Sequence, residues 1–170
     1  MSFKWIGALM VVAGCGGVGF TMAAAYIREE WALRNLISAL DYMTCELQYR
    51  LTPLPQLCRQ AGKECRGSVG AVLTGLAGEL ESQIAPDAAS CMHAALAHTE
   101  HLPTAAEKAL RLLGSGLGRF DLEGQLRGLE QVRAHCRREL DAMAGQRDQR
   151  VRGYQTLGVC AGAALAILFV

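Results

Sequence analysis

An uncharged, apolar stretch near each end of the chain constrains its fold more than any other feature. Asp, Glu, Lys and Arg are absent from residues 5–27 and from residues 154–170. About 20 apolar residues in a helix cross the hydrocarbon core of a bilayer. A charged residue at mid-span costs roughly 2.5–3.5 kcal/mol on insertion. The sequence therefore predicts an N-terminal transmembrane helix within residues 1–27 and a shorter, C-terminal one at residues 154–170.

A cleaved signal peptide is the alternative for the first stretch. Lys4 precedes it, and Ala23, Ala24 and Ala25 resemble a cleavage site. The apolar run is long for a signal peptide and continues directly into a helical pattern at Arg28, which favours a retained anchor. Free cysteines between the two stretches also argue against export.

Basic residues lie mainly on the inner flanks of the two stretches, and outside them only Lys4 is basic. The inner basic residues are Arg28, Arg34, Arg147, Arg150 and Arg152. The positive-inside rule then predicts a cytoplasmic domain at residues 28–153, with both termini across the membrane.

Small residues recur at four-residue spacing in both stretches. Gly158 and Gly162 are followed by Ala166, and the first stretch has Cys15, Gly19 and Ala23. Such spacing lets membrane helices approach closely, although glycine is common in membrane helices in general. We expect Gly158 and Gly162 to pack against another helix, within this chain or in a second subunit.

The segment between the stretches has a helical pattern. Much of its apolar content is Leu and Ala, which favour helices over strands. One face at three- and four-residue steps comprises Leu33, Leu36, Ile37, Leu40, Met43, Leu47 and Leu51. Leu73, Leu76 and Leu80 line a later helix, Met92 and Leu96 are expected to face inward from the next, and the one after carries Leu110, Leu112 and Leu113. The sequence predicts an all-α protein.

Proline and glycine mark the ends of the first helices. Thr52, Pro53, Leu54 and Pro55 should end the first, because proline lacks an amide donor and disfavours helical geometry before it. A weaker helix is expected from about residue 54 to 60, with Gly62 and Gly67 on either side of a turn. The pair at residues 86–87 opens a later helix.

Capping signals mark the last two helices. Thr104 and Glu107 have the spacing of a capping box, and glycines at residues 114–118 indicate a tight turn after that helix. Asp121 is placed to cap a final helix that continues to the C-terminus. Its near-heptad apolar residues are Leu122, Leu126, Leu129, Cys136, Leu140 and Met143, interrupted by Arg133.

Seven cysteines are present, and two of them, Cys15 and Cys160, lie within the apolar stretches. The other five are Cys45, Cys58, Cys65, Cys91 and Cys136. An odd number without a C-x-x-C pair argues against a disulfide framework. We expect each to be a buried, reduced thiol.

No motif predicts catalysis or a cofactor. The histidines His93, His98, His101 and His135 lack the spacing of a zinc site. The glycines at residues 114–118 follow no strand and precede no Lys-Ser/Thr, so they form no P-loop. Formal net charge is +1, which gives no global attraction to nucleic acid. Arg127, Arg133, Arg137 and Arg138 alternate with acids, as on a solvated face or a dock for a charged partner.

Two tracts resemble recurring stretches of the stage III sporulation protein AB family. The first comprises Leu33, Arg34, Leu40 and residues 46–54, with the sequence ELQYRLTPL. The second comprises Gly114, Leu117, Gly118, Asp121 and Gln125, spaced as Gly-x-x-Leu-Gly-x-x-Asp-x-x-x-Gln. The order of apolar N-terminus, helical core, long final helix and apolar C-terminus is also similar to that family.

The resemblance implies a six-helix bundle similar to the cytoplasmic domain of type II secretion F proteins. It implies a non-enzymatic platform in the channel apparatus between mother cell and forespore, in the mother-cell membrane around the forespore. Its partners would be a secretion-type ATPase and other channel subunits, and self-association is left open. The candidate partner and packing residues are Thr52, Pro53, Leu54, Gly118, Asp121, Gln125, Gly158 and Gly162. The alternative is a membrane-anchored metal or redox sensor that uses Cys91, His93 and His98.

Overall fold

The computed structural model describes the backbone of residues 2–83, 86–118 and 121–169, and the side chains of residues 24–83, 86–118 and 121–145. Within these ranges the chain forms six α-helices and no strand, which confirms the all-α prediction. The helices are α1 (Ser2–Tyr49), α2 (Leu54–Glu64), α3 (Ser68–Ser82), α4 (Ala88–Ala97), α5 (Thr104–Gly116) and α6 (Leu122–Phe169).

The chain divides into two compact units. One comprises Met1–Arg28 with Asp141–Val170, and the other, called here the helical core, comprises Glu29–Leu140. The predicted spans, with Gly158 and Gly162, lie outside the described side chains, apart from residues 24–27. In the part of the chain that is described, no helix is both long enough and apolar enough to cross a membrane.

The apolar face of α1 is buried in the helical core. Its buried members are Leu33, Leu36, Leu40, Met43 and Leu47. The prediction was wrong for Leu51, which is exposed, and Ile37 is only half-buried. Leu51 follows the end of α1, so the helical period no longer directs its side chain inward.

Later helices bury most of the expected residues. Leu73, Leu76, Met92, Leu96, Leu110, Leu113 and Leu129 are buried, whereas Leu80 is half-buried. Leu112 and Leu122 are exposed. Leu112 is adjacent to Leu113, and a step of about 100° places it outside the face of α5 that buries Ala109, Leu110 and Leu113.

Glycines permit a close crossing of α2 and α3. A Cβ atom on Gly62 would lie 2.5 Å from Thr74 Oγ1 and 3.0 Å from the Gly70 carbonyl oxygen. Gly62 is therefore a buried packing residue inside α2, and the prediction that it borders a turn was wrong. The turn comes later, at residues 65–67, where Gly67 has a φ of +78°. Side chains also link the two helices, since Arg59 pairs with Glu81.

A second close approach joins α4 to α5. A Cβ on Gly114 would lie 2.6 Å from the Cβ of Met92. The predicted turn at residues 114–118 is accordingly wrong in its first half, because α5 continues to Gly116. The turn is confined to Leu117 and Gly118, and Gly118 has a φ of +72°.

Three predicted helix starts are confirmed, and the capping box predicted for one of them is wrong. The Asp87 carboxylate accepts a 2.9 Å hydrogen bond from Ser90 N, and the Asp121 carboxylate accepts one of 3.0 Å from Gly124 N. Thr104 makes no cap, since α5 begins after Pro103 without a local side-chain acceptor. Instead, Ala105 N donates to Glu29 Oε1 at 3.1 Å, so a residue of α1 caps α5.

Replacing Glu29 with alanine should lower the free energy of unfolding by about 1 kcal/mol, because the first turn of α5 loses its acceptor. Chemical denaturation of the detergent-solubilised chain measures this loss. Glu29→Gln keeps an acceptor oxygen and should retain most of the stability. Equal losses in both variants would contradict the capping role.

Burial of the cysteines follows the prediction at four of the five described positions. Cys58, Cys65, Cys91 and Cys136 are buried, whereas Cys45 is exposed and contradicts it. Cys45 lies on the face of α1 opposite the buried leucines, so its thiol is directed away from the core. Burial raises the pKa of the Cys58 thiol to about 12 and that of Cys136 to about 11.

Thiol labelling should distinguish Cys45 from Cys58. The thiolate is the reactive form, so a pKa of about 12 lowers the reactive fraction of Cys58 at neutral pH roughly a thousandfold. We expect maleimide to modify Cys45 at least about a hundredfold faster than Cys58 in the folded chain. Mass-spectrometric peptide mapping resolves the two sites, and similar rates would contradict the placement of α1.

Candidate docking surface

The end of α1 and the start of α6 lie at the same end of the helical core. Asp41 on α1 accepts a 2.7 Å hydrogen bond from the Arg133 guanidinium on α6. Gly118, just before α6, lies next to Leu54, just after α1, since a Cβ on Gly118 would be 3.6 Å from Leu54 Cδ2. The two helices therefore run in opposite directions from this end, which we call the tip (residues 49–54, 117, 118, 121 and 122).

The two tracts that resembled a known family meet at the tip. Thr52, Pro53 and Leu54 belong to the first tract, and Gly118 and Asp121 to the second. Contact between Leu54 and Gly118 brings together positions more than sixty residues apart in the sequence. The left-handed backbone at Gly118 turns the chain here, and a side chain at this position would be strained.

Side-chain and backbone contacts restrain the loop between α1 and α2. Thr52 Oγ1 donates to Glu46 Oε2 at 3.0 Å, and the Arg50 guanidinium lies 3.5 Å from Glu46 Oε1. Leu57 N donates to the Pro53 carbonyl oxygen at 2.9 Å, which starts α2. Between these anchors Leu51 adopts a φ of +50°, a conformation that non-glycine residues seldom take.

Large apolar side chains are exposed at the tip. Tyr49 is 82% exposed, Leu51 68% and Leu122 40%. Single exposed apolar residues are ordinary, but several close together at one end are typical of a protein-binding surface. The backbone of Leu51 is strained, and its exposed side chain gains no burial within this chain that would offset the strain. Backbone strain of this kind concentrates at functional positions.

The other candidate residues at the tip have structural roles. Asp121 caps α6 through its carboxylate, and its carbonyl oxygen accepts from Gln125 N at 2.9 Å. Pro53 and Gly118 set the two turns. The sequence did not identify Tyr49 and Leu122 as exposed apolar residues. Tyr49 is the last residue of α1, which stops before a proline, and that position was the available signal.

Residues of the metal hypothesis do not come together. Cys91 is buried, whereas His93 and His98 are exposed. His93 and His101 line an open pocket beside Glu107, whose carboxylate is already paired with Arg111 at 2.8 Å. Among the described residues, no three His, Cys, Asp or Glu side chains are placed to hold a metal ion.

The basic residues of α6 divide into two groups. Arg127 pairs with Glu123, and Arg133 bonds to Asp41 and Glu130. Those bonds raise the pKa of the Arg133 guanidinium, chiefly through Asp41. Arg133 thus links two helices where the apolar heptad was interrupted. Arg137 and Arg138 are exposed and have no ion-pair partner within the described side chains.

Comparison with known families shows which family this chain matches. The family described as stage III sporulation protein AB matches residues 4–170. The chain belongs to the stage III sporulation protein AB family. Its relative of that description from Bacillus subtilis (strain 168) is 26% identical over 98% of this chain and 99% of the relative. A solved structure of stage III sporulation protein AB shares the fold, with a TM-score of 0.62 and 19% identity over 72% of this chain and 98% of that one.

Family membership gives the chain a role in sporulation and confirms the resemblance noted in its sequence. Both sequence comparisons include the N- and C-terminal stretches as well as the helical core. The family is not a known family of enzymes.

Proposed function

We propose that this chain is a membrane-anchored platform of the channel apparatus between mother cell and forespore, and that its tip docks a secretion-type ATPase. The supporting observation is the exposed apolar group formed by Tyr49, Leu51 and Leu122 at the junction of the two family tracts. The uncharged stretches at residues 5–27 and 154–170 support anchoring in the mother-cell membrane. The helical core then lies in the mother-cell cytoplasm, where a cytosolic ATPase reaches it.

The tip has the physical features of a binding site for another protein. Tyrosine is enriched among the residues that contribute most to binding, because it buries a large area at low entropic cost. Glu46 accepts a hydrogen bond from the Thr52 side chain and pairs with Arg50, which restrains the residues on both sides of Leu51, so little ordering is needed on binding. The left-handed backbone at Leu51 directs its side chain into solvent, where a partner's apolar pocket covers it.

Replacing Leu51 with asparagine tests the dock without damaging the fold. Asparagine tolerates positive φ better than leucine, so the variant should be as stable as the parent or more stable. It loses the exposed apolar side chain, and we expect ATPase capture by the full chain in detergent to fall about tenfold or more. Combining it with Tyr49→Ser should abolish capture.

His101→Asn is the matched control, because His101 is an exposed residue with a φ of +61° in the loop at the opposite end of the core. This variant should capture the ATPase at parental levels. Undiminished capture by the Leu51 and Tyr49 variants would overturn docking at the tip. Loss on Arg137→Glu with Arg138→Glu would instead place the dock on the basic surface of α6.

A further inference from the structure

The helical core presents a second group of exposed residues at the end opposite the tip. The Trp31 indole is 47% exposed and packs over Gly67, where a Cβ would lie 2.8 Å from the ring. Cys65 Sγ donates to the Asn35 carbonyl oxygen at 3.2 Å. The turn between α2 and α3 is therefore fastened to α1 on both sides of Arg66. Arg66 and Lys63 are exposed, and we call them, with Trp31, the tryptophan patch.

The tryptophan patch has a residue type and a charge that suit a bilayer surface. Tryptophan is enriched at the headgroup level of membranes, and basic residues there are attracted to anionic lipids. Neither Lys63 nor Arg66 has an ion-pair partner among the described side chains. Glu30, on the same part of α1, pairs with Arg34 at 2.6 Å, which leaves Glu64 as the nearest exposed acid in sequence.

The position of Trp31 in the sequence matches the headgroup layer. The uncharged stretch ends at Ile27, and Trp31 follows it by four residues of α1, or about 6 Å of helix. The polar layer on each side of the hydrocarbon core is of similar thickness, about 5–8 Å. Packing on Gly67 fixes the indole against the α2–α3 turn, and Arg66 is the neighbour of Gly67 in that turn.

We propose that the tryptophan patch binds anionic phospholipid headgroups and so sets the orientation of the helical core on the membrane. This inference rests on the membrane anchoring proposed above, and it adds a lipid partner and the surface that contacts it. Binding at the α2–α3 turn leaves the tip, at the other end of the core, directed away from the bilayer and open to a cytosolic protein.

Fluorescence of Trp31 in vesicles tests the proposal directly. Trp5 is the only other tryptophan, so Trp5→Phe makes Trp31 the sole reporter in the full chain. In vesicles of equal parts phosphatidylcholine and phosphatidylglycerol, a headgroup nitroxide lipid should quench Trp31 more strongly than a nitroxide at the chain centre. Lys63→Glu with Arg66→Glu should weaken the local contact about fivefold or more, and headgroup quenching should fall accordingly.

Arg137→Glu with Arg138→Glu is the charge-matched control, and it should leave the quenching unchanged. In vesicles of pure phosphatidylcholine, the parent chain should show headgroup quenching as weak as that of the Lys63 and Arg66 variant in the mixed vesicles. One contrary result is that the chain floats with the vesicles while headgroup quenching is absent or does not depend on the charge of residues 63 and 66. That result would overturn lipid binding by the tryptophan patch and leave the anchoring intact. A chain that does not float with the vesicles overturns both.

Discussion

Replacing Gly70 with alanine is expected to lower the free energy of unfolding by about 3 kcal/mol, near the upper end for overpacked sites. The new Cβ would lie far inside van der Waals contact of the Cys65 carbonyl oxygen and 2.7 Å from that of Gly62. Both oxygens belong to the backbone, so no side-chain rotation relieves the clash. The helices α2 and α3 must separate instead, and denaturant unfolding of the full chain in detergent measures the cost.

Gly78→Ala is the matched control in the same helix. Gly78 is exposed, and a Cβ there meets no atom within 4 Å. Alanine is favoured over glycine in a helix by about 1 kcal/mol, so this variant should gain stability while Gly70→Ala loses it. Stability changes of the same sign at both positions would refute the close crossing of α2 and α3.

The sequence predicted helix boundaries well wherever local chemistry determines them. Asp87 and Asp121 cap the helices that follow, and the Thr52–Pro53 tract ends α1. In each case the deciding interaction joins residues a few positions apart, such as a carboxylate and the amide three residues later. Such interactions can be recognised in a sequence without knowledge of the tertiary fold.

Predictions failed where a residue distant in the sequence makes the contact that a local residue was expected to make. Thr104 had the sequence of a capping box, but Glu29 from α1 supplies the acceptor to α5. Gly62 and Gly114 look like turn residues in isolation, yet each lies inside a helix, at a point where another helix passes too close for a side chain. Which glycine faces a neighbouring helix depends on helix packing, which the local pattern does not encode.

The candidate site was predictable in its residues but not in its geometry. Thr52, Pro53, Leu54, Gly118 and Asp121 were identified from the two family tracts, whereas their meeting at one end follows from the direction of each helix. Exposure of Tyr49 and Leu51 depends on where α1 ends relative to the turn, and a shift of one residue rotates a helical side chain by about 100°. The docking surface therefore became visible only in the fold.

Two adjacent leucines on α5 provide the sharpest test of how that helix is oriented. Leu113 is 2% exposed and Leu112 is 42% exposed, although the sequence pattern does not distinguish them. Leu113→Ala should lower the free energy of unfolding by about 3 kcal/mol, through lost burial and the cavity left behind. Leu112→Ala should change it by no more than about 0.5 kcal/mol, as at an ordinary surface position.

The comparison isolates burial, because both variants make the same chemical change at neighbouring positions of one helix and alter helix propensity equally. Denaturant midpoints of the two variants, measured side by side on the full chain in detergent, give the difference directly. Equal losses would mean that α5 is rotated about its axis relative to the structure. Such a rotation would also separate Gly114 from Met92 and move Gly118 away from Leu54, so the tip would no longer consist of the residues that define it here.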